Sequence, residues 1–242
     1  MTKEERDKFK EEKFVTVPVY RGFLPIKQLY YLCEENDAII LGGYVRWMCS
    51  PNINPAKPGD VDVYCPEDKI FERMKSTLAK ANLGIKNEND IAIAYIRPTH
   101  PNPFFTCPTI QLIKPMREGV IVTDGDMEEI IKNFDFTVIR IGLFNARDAT
   151  ADPQFIEDEL ASRLRIKNIH CPISSMYRVM KYRAKGYWPS TGLLLKLFLD
   201  WEERPEETKM KILTFYKKLE EDEKSVTAEE IDEMEALMRL ID

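Results

Sequence analysis

The chain has 242 residues, 44% of them apolar and 31% charged, with 10 Gly and 15 Pro, a composition suited to one large or two small globular domains. Lys and Arg number 35 against 41 Asp and Glu, and the net charge of −6 argues against a surface that coats nucleic acid throughout, though not against a local basic face. The charged opening MTKEERDKFKEEK lacks an apolar signal-peptide core, and no run of ~18 apolar residues occurs, so a cytoplasmic protein without a membrane partner is expected.

In chain order, FVTVPVY (14–20) reads as a β segment and IKQLYYLCEEN (26–36) has apolar residues at helical spacing. AIILGG is a short buried-strand pattern ending in two glycines, GYVRWMC opens a helix that must stop near Pro51, and PNINPAKPG is a turn-rich loop. DVDVY (60–64) alternates like a strand, and DKIFERMKSTLAKAN follows as a helix opened by Pro66, Glu67 and Asp68. IAIAYIR (91–97) and TIQLIK (109–114) read as strands joined by the Pro-rich THPNPFFTCP. DMEEIIKNF is a helix running into the strand-like DFTVIRIGLF, interrupted by Arg140. Beyond ATADP the periodicity is helical: ISSMYRVMKYRAKGYW places Met176, Val179, Met180 and Ala184 on one face and Arg178, Lys181 and Lys185 on another. Three further stretches, TGLLLKLFLDW, TKMKILTFYKKLEE and TAEEIDEMEALMRLID, complete the helical part. The expectation is a mixed α/β front half, 1–150, and an all-α back half, 151–242.

Five cysteines without a CxxC pair and only His100 and His170 as imidazoles point away from a zinc site or a disulfide framework, towards reduced thiols and structural histidines. Chemistry concentrates in LGGYVRWMCSPNINPAKPGDVDVY. There a strand delivers Gly42 and Gly43 to a helix start, where missing side chains let backbone N–H groups approach an anion. On the next strand Asp60 and Asp62, two apart, project from the same face, as needed to hold one or two Mg²⁺ ions for phosphoryl transfer.

In this order the pieces resemble the nucleotidyltransferase fold of the DNA polymerase β superfamily. GGYVRW resembles the GGxVRD motif of class II tRNA nucleotidyltransferases (CCA-adding enzymes) and bacterial poly(A) polymerases, and DVDVY resembles their DxD strand. FDFTVIRIGLF is similar to their RRDFTINAL segment, and ISSMYRVMKYRAKGYW to their EDPLRxLRAxRFAxxLGF base-selecting helix. The set also resembles nucleotidyltransferase-like proteins carried by bacteriophages, for which the location would be the host cytoplasm. The resemblance implies an α+β fold, a mixed sheet with flanking helices followed by a helical C-terminal part. It implies catalytic, metal-holding Asp60 and Asp62 with Mg²⁺ or Mn²⁺. Nucleotide-binding roles fall to Gly42, Gly43, Arg46, Asp135, Arg178 and Lys181, with an NTP as donor and an RNA or tRNA 3′ end as acceptor.

Several positions depart from the family pattern: Trp47 stands where it has aspartate, Asn133 and Phe134 replace two arginines, and Ser174 and Ser175 occupy its acidic pair. Gln111 stands in the slot of a third carboxylate, so that the site runs on two aspartates, draws on Asp135, or has lost catalysis. Arg46 either meets a phosphate or pairs with an acid, and Asp135 either joins the site or braces the junction of the two halves. Tyr177, Tyr182, Tyr187 and Trp188 are candidates for stacking on bases, one at most being expected to do so rather than join the core. Between Ala161 and Tyr187 there are 7 Lys or Arg and no acid, whereas Asp200 to Asp242 holds 15 acids against 7 bases. A basic segment of this kind suits a triphosphate or an RNA end, or is a solvated helix face balanced by the acidic helices. The expected activity is transfer of NMP from an NTP to a hydroxyl with release of pyrophosphate. The alternative is a catalytically inactive module of the same fold that binds nucleotide, RNA or a protein partner.

Overall fold

The computed structural model describes residues 13–52, 55, 57–81, 83–88, 92–96, 109–115, 127–169 and 172–221. Strands β1 (Val15–Pro18), β2 (Ile39–Leu41), β3 (Val61–Tyr64), β4 (Gly84–Glu88), β5 (Ala92–Ile96), β6 (Thr109–Ile113), β7 (Ile141–Leu143) and β8 (Asp148–Ala151) form one sheet. Its order is β1-β8-β7-β2-β3-β6-β5-β4, antiparallel throughout except for the β3–β6 pair. Helices α1 (Phe23–Glu35), α2 (Gly43–Cys49), α3 (Asp68–Lys80), α4 (Met127–Lys132) and α5 (Phe155–Leu160) flank it, and α6 (Pro172–Ala184), α7 (Thr191–Glu202) and α8 (Glu206–Glu221) make the helical part. This is the expected α+β architecture. A second, two-stranded parallel sheet joins β9 (Arg163–Leu164) to β10 (Trp188–Pro189).

Strand alternation sorts the sheet into two faces. Val61 and Val63 of β3 and Ile110 and Leu112 of β6 turn to a first core, where α1 supplies Ile26, Leu29 and Cys33 and α3 supplies Ile70, Phe71, Met74 and Leu78. On α3 those buried positions recur at helical spacing, and Asp68 in the first turn complements the helix dipole. Tyr64 and Ile113, on the opposite face, join a second core with Phe134, Phe136, Leu164, Val179, Tyr182, Leu193 and Leu197. The second core therefore draws on residues from both sides of position 150. Phe155 likewise belongs to the first core.

Five expectations change. The back half is not all-α, because β9 and β10 pair within it. DFTVIRIGLF is not one strand: Phe136 makes an isolated bridge to Ile166, residues Thr137–Ile139 form a 3-10 turn, and only Ile141–Leu143 is β. The break falls where Arg140, fully buried, must reach Asp152 at 2.7 Å and the carbonyls of Ile131 and Lys132. Gly84–Glu88 and Asp148–Ala151 are strands that sequence patterning does not announce. Helix α1 starts at Phe23, after Gly22 in the left-handed region (φ 72°). On α6, Met176 and Met180 are exposed while Ser175, Val179 and Tyr182 face inward. The connection THPNPFFTCP, His100, His170, Cys107, Cys171 and the final TAEEIDEMEALMRLID lie outside the described residues.

Candidate nucleotidyl-transfer site

Asp62 lies on β3 directly across from Gln111 on the parallel strand β6, with Leu41 of β2 on its other side. Paired residues point to the same face, so Asp62 and Gln111 share the face that leads into the second core. Asp60, one residue before β3, lies on that face as well: the Gln111 side-chain amide donates to its Oδ2 at 2.8 Å. Both aspartates are partly exposed. The Asp62 carboxyl is pushed up to about 7, chiefly by burial and then by repulsion from Asp60, while Arg178 and Lys181 pull it back. Tyr64 next along the strand is held well above its ordinary value by burial, with Asp62 adding to the effect.

Gly42 follows the neighbouring strand and caps α2 at φ 77°, ψ −138°, a conformation suited to glycine. A Cβ here would sit 3.3 Å from Asp62 Oδ2 and 3.9 Å from the Phe134 ring, whereas one at Gly43 would meet nothing within 4 Å. The Gly42 turn thus brings backbone against the aspartate, and Gly43 leaves space beside it. Trp47, where the resembled motif has aspartate, has its ring against Gly22, 5.4 Å from the Tyr44 ring centroid and under the Lys57 ammonium at 5.6 Å.

Helix α6 supplies the opposite wall. Arg178 and Lys181 act on Asp62, and Lys185, just past the end of the helix, is close enough to Asp60 to feel its charge. Burial lowers the Lys185 ammonium, and Arg46 and Lys181 lower it further. Lys185 is absent from the residues expected to bind nucleotide, although its spacing from Arg178 and Lys181 on one helical face is visible in the sequence. Asp135 lies behind this wall, its Oδ1 accepting from Arg178 Nη1 and from the Phe136 amide, each at 3.1 Å, and its Oδ2 accepting from the Ser175 hydroxyl at 3.1 Å. Asp135 is the largest cause of the raised Arg178 value. The serine in the family's acidic slot is therefore turned to Asp135.

Arg46 does not line the opening. It is 1% exposed, ion-paired with Glu159 at 3.2 Å and bonded to the Tyr187 hydroxyl, which donates to the other Glu159 oxygen at 2.6 Å. Of the two uses open to Arg46, the structure shows pairing with an acid. This places Tyr187 in a buried polar network, and Tyr182 packs edge-on against Phe136 and Tyr187. Tyr177 and Trp188 are exposed, the latter under the Arg183 guanidinium.

Two carboxylates on one face suit a hard divalent cation. Among the described residues there is no group of three or more His, Cys, Asp or Glu able to hold a metal. No described helix is long and apolar enough to cross a membrane.

Among solved structures, the chain is similar to a CCA-adding enzyme of Thermotoga maritima complexed with tRNA, at TM-score 0.50 and 11% identity over 79% of this chain and 43% of that one. It is also similar to a tRNA-processing enzyme in an apo form, at 0.49 and 15% over 80% and 51%, and to a CCA-adding enzyme with CTP, at 0.48 and 13% over 89% and 51%. At such identity the first likeness is one of fold alone, nucleotidyltransferase-like, and the chain spans about half the length of these structures. No curated protein matches it. A family model described as Gabija anti-defense 2 family protein matches residues 7–163, well over half the sequence. By that match the chain belongs to the Gabija anti-defense 2 family.

Proposed function

We propose that the chain is a metal-dependent nucleotidyltransferase that moves a nucleoside monophosphate from an NTP to a hydroxyl, with an RNA 3′ end as the favoured acceptor. The observation that carries the reading is the convergence of Asp60 and Asp62 on one face, the Gly42 turn against Asp62, and Arg178, Lys181 and Lys185 opposite. Residues 1–150 would be the catalytic head and 151–242 the helical part that bounds it. Gly42 and Gly43 would let the triphosphate approach the backbone, and Asp60 and Asp62 would hold Mg²⁺ or Mn²⁺. Arg178, Lys181 and Lys185 would balance the phosphate charge. A bound divalent cation would supply Lewis-acid activation of the α-phosphate. In the transfer a bond forms from the acceptor oxygen to the α-phosphorus and the bond to the bridging oxygen breaks. Pyrophosphate leaves, and the hydroxyl proton passes to water. Asp135 and Arg46 act as positioning residues, Asp135 through Arg178, and Arg46 through its ties to Glu159 and Tyr187.

The family description suggests a use against the Gabija defence, which suits a phage-encoded protein working in the host cytoplasm. The test is incubation of the purified chain with each α-labelled NTP, Mg²⁺ or Mn²⁺, an RNA mixture and host lysate. Label transfer lost in Asp60→Ala and in Asp62→Ala is the expected result, and absence of transfer with every NTP overturns the reading. One observation favours a second reading, a catalytically inactive module that binds nucleotide, RNA or a protein partner: the Gln111 amide, not a carboxylate, sits against Asp60. Retained nucleotide binding without transfer would establish it.

A further inference from the structure

We infer that the chain pairs with a second copy of itself through helix α7, the two α7 helices lying antiparallel across a two-fold axis. Between Leu193 and Leu199 every residue except Lys196 is Leu or Phe, a content that suits a helix buried on all sides. Only part of it is buried: Leu193 and Leu197 pack into the second core with Val179 and Tyr182 of α6, whereas Leu194, Leu195, Phe198 and Leu199 are each 50–56% exposed. Helical spacing puts these four on the side of α7 turned away from that core. Single exposed apolar residues need no explanation, but four in one stripe mark a contact surface.

The stripe is complementary to itself. Two exposed ridges at i, i+4 spacing make it up, Thr191–Leu195–Leu199 and Leu194–Phe198–Glu202. Turning a second α7 end for end about the middle of the stripe exchanges the ridges: Leu195 comes opposite Phe198 of the second copy, Leu199 opposite its Leu194, and Thr191 opposite its Glu202. Each large apolar side chain then meets another, as an isologous contact requires. Charge selects this direction. Helix α7 has no acid in its first turn and no base in its last, and its acids, Asp200 and Glu202, stand near its C-terminus, where its own dipole disfavours them. Arg204 offsets Asp200 at 3.1 Å. The antiparallel pairing carries the exposed Glu202 to the first turn of the second copy's α7, where an acid is favoured, and symmetry makes this contact twice. A parallel pairing would set the two Glu202 side chains together instead. None of these residues belongs to the aspartate site, so the pairing does not depend on how that site is read.

Sedimentation of the full chain over a wide concentration series tests the pairing. A reversible dimer of twice 28.3 kDa is expected. Leu195→Glu and Phe198→Glu, each placing a charge at the centre of the stripe, should raise the dissociation constant at least ~30-fold with an unchanged circular dichroism spectrum. Glu202→Lys should raise it at least ~3-fold, and Thr191→Glu added to Glu202→Lys should restore association, because opposite charges then face each other across the axis. A wild-type chain that stays monomeric throughout overturns the proposal, leaving the stripe to the chain beyond Glu221 or to a different protein. A dimer indifferent to both stripe substitutions overturns it by placing the interface elsewhere, and failure of the Thr191→Glu and Glu202→Lys combination to restore association overturns the antiparallel arrangement. Should the glutamate variants lose their fold, Leu195→Ala combined with Phe198→Ala decides, weaker association supporting the pairing and unchanged association overturning it.

Discussion

Asp62 shows how a single carboxyl is set between structure and chemistry. Raised to about 7, it holds its proton in the folded chain at pH values where an unfolded aspartate, near 4, has lost it. The folded state therefore binds more protons across that window, and the stability of the metal-free chain falls as pH rises through it. Asp62→Asn is expected to flatten this dependence and to raise stability by about 1–2 kcal/mol at pH 8, as read by urea denaturation at a series of pH values. If Asp62 holds a cation as proposed, binding needs the ionised form, and affinity is expected to climb up to about pH 7 and level off above it. At Gly42 the constraint is steric. Its positive φ and the 3.3 Å approach of a notional Cβ to Asp62 Oδ2 predict that Gly42→Ala costs about 1–3 kcal/mol and displaces the aspartate, so that thermal stability and Mn²⁺ affinity fall together.

Among the elements, the segment after α4 is the anchor between the two cores. Asp135 holds α6 through Ser175 and Arg178, the Thr137 hydroxyl donates to Asp158 at 2.7 Å, and Arg140 pairs with Asp152. Each pair joins a side chain of this segment to a partner beyond residue 150, which is why it breaks into a bridge and a turn instead of continuing as a strand. Helix α2 is tied in the same manner by Arg46 and Glu159. Removing one partner of a buried ion pair strands the other, so Glu159→Ala should cost about 3–5 kcal/mol and Tyr187→Phe about 1–2 kcal/mol in chemical denaturation. The sequence showed the α2 start, the DxD strand and the basic stripe on α6, because glycine turns and regular spacing leave local marks. It did not show which face of α6 turns inward. Met176 and Met180 look like core on apolarity alone, yet the buried acceptor Asp135 draws Ser175 and Arg178 towards it. Arg46 was equally ambiguous, since its partner Glu159 lies more than a hundred positions away.

At the scale of the molecule, the net charge of −6 averages two unlike regions, and the structure brings the basic one, on α6, to the aspartates. The sheet's central strands were readable because β3 and β6 alternate cleanly between the two cores. Strand β4 was not, because all five of its residues, GIKNE, are exposed and have no buried face to pattern. Beyond residue 150, Leu164, Val179, Tyr182, Leu193 and Leu197 complete the second core. A chain ending at residue 150 would leave Phe134 and Phe136 without those neighbours. It is expected to lack the cooperative melting transition of the whole chain, as calorimetry would show.

The exposed strand β4 also bears on colloidal behaviour. It ends the sheet, and its register with β5 slips between Ile85 and Asn87, leaving Lys86 as an extra, charged residue. At the other end, β1 finishes in Pro18. A bulge with a lysine at one margin and a proline at the other are poor templates for another strand. Edge-to-edge pairing of two such sheets is therefore disfavoured at both margins.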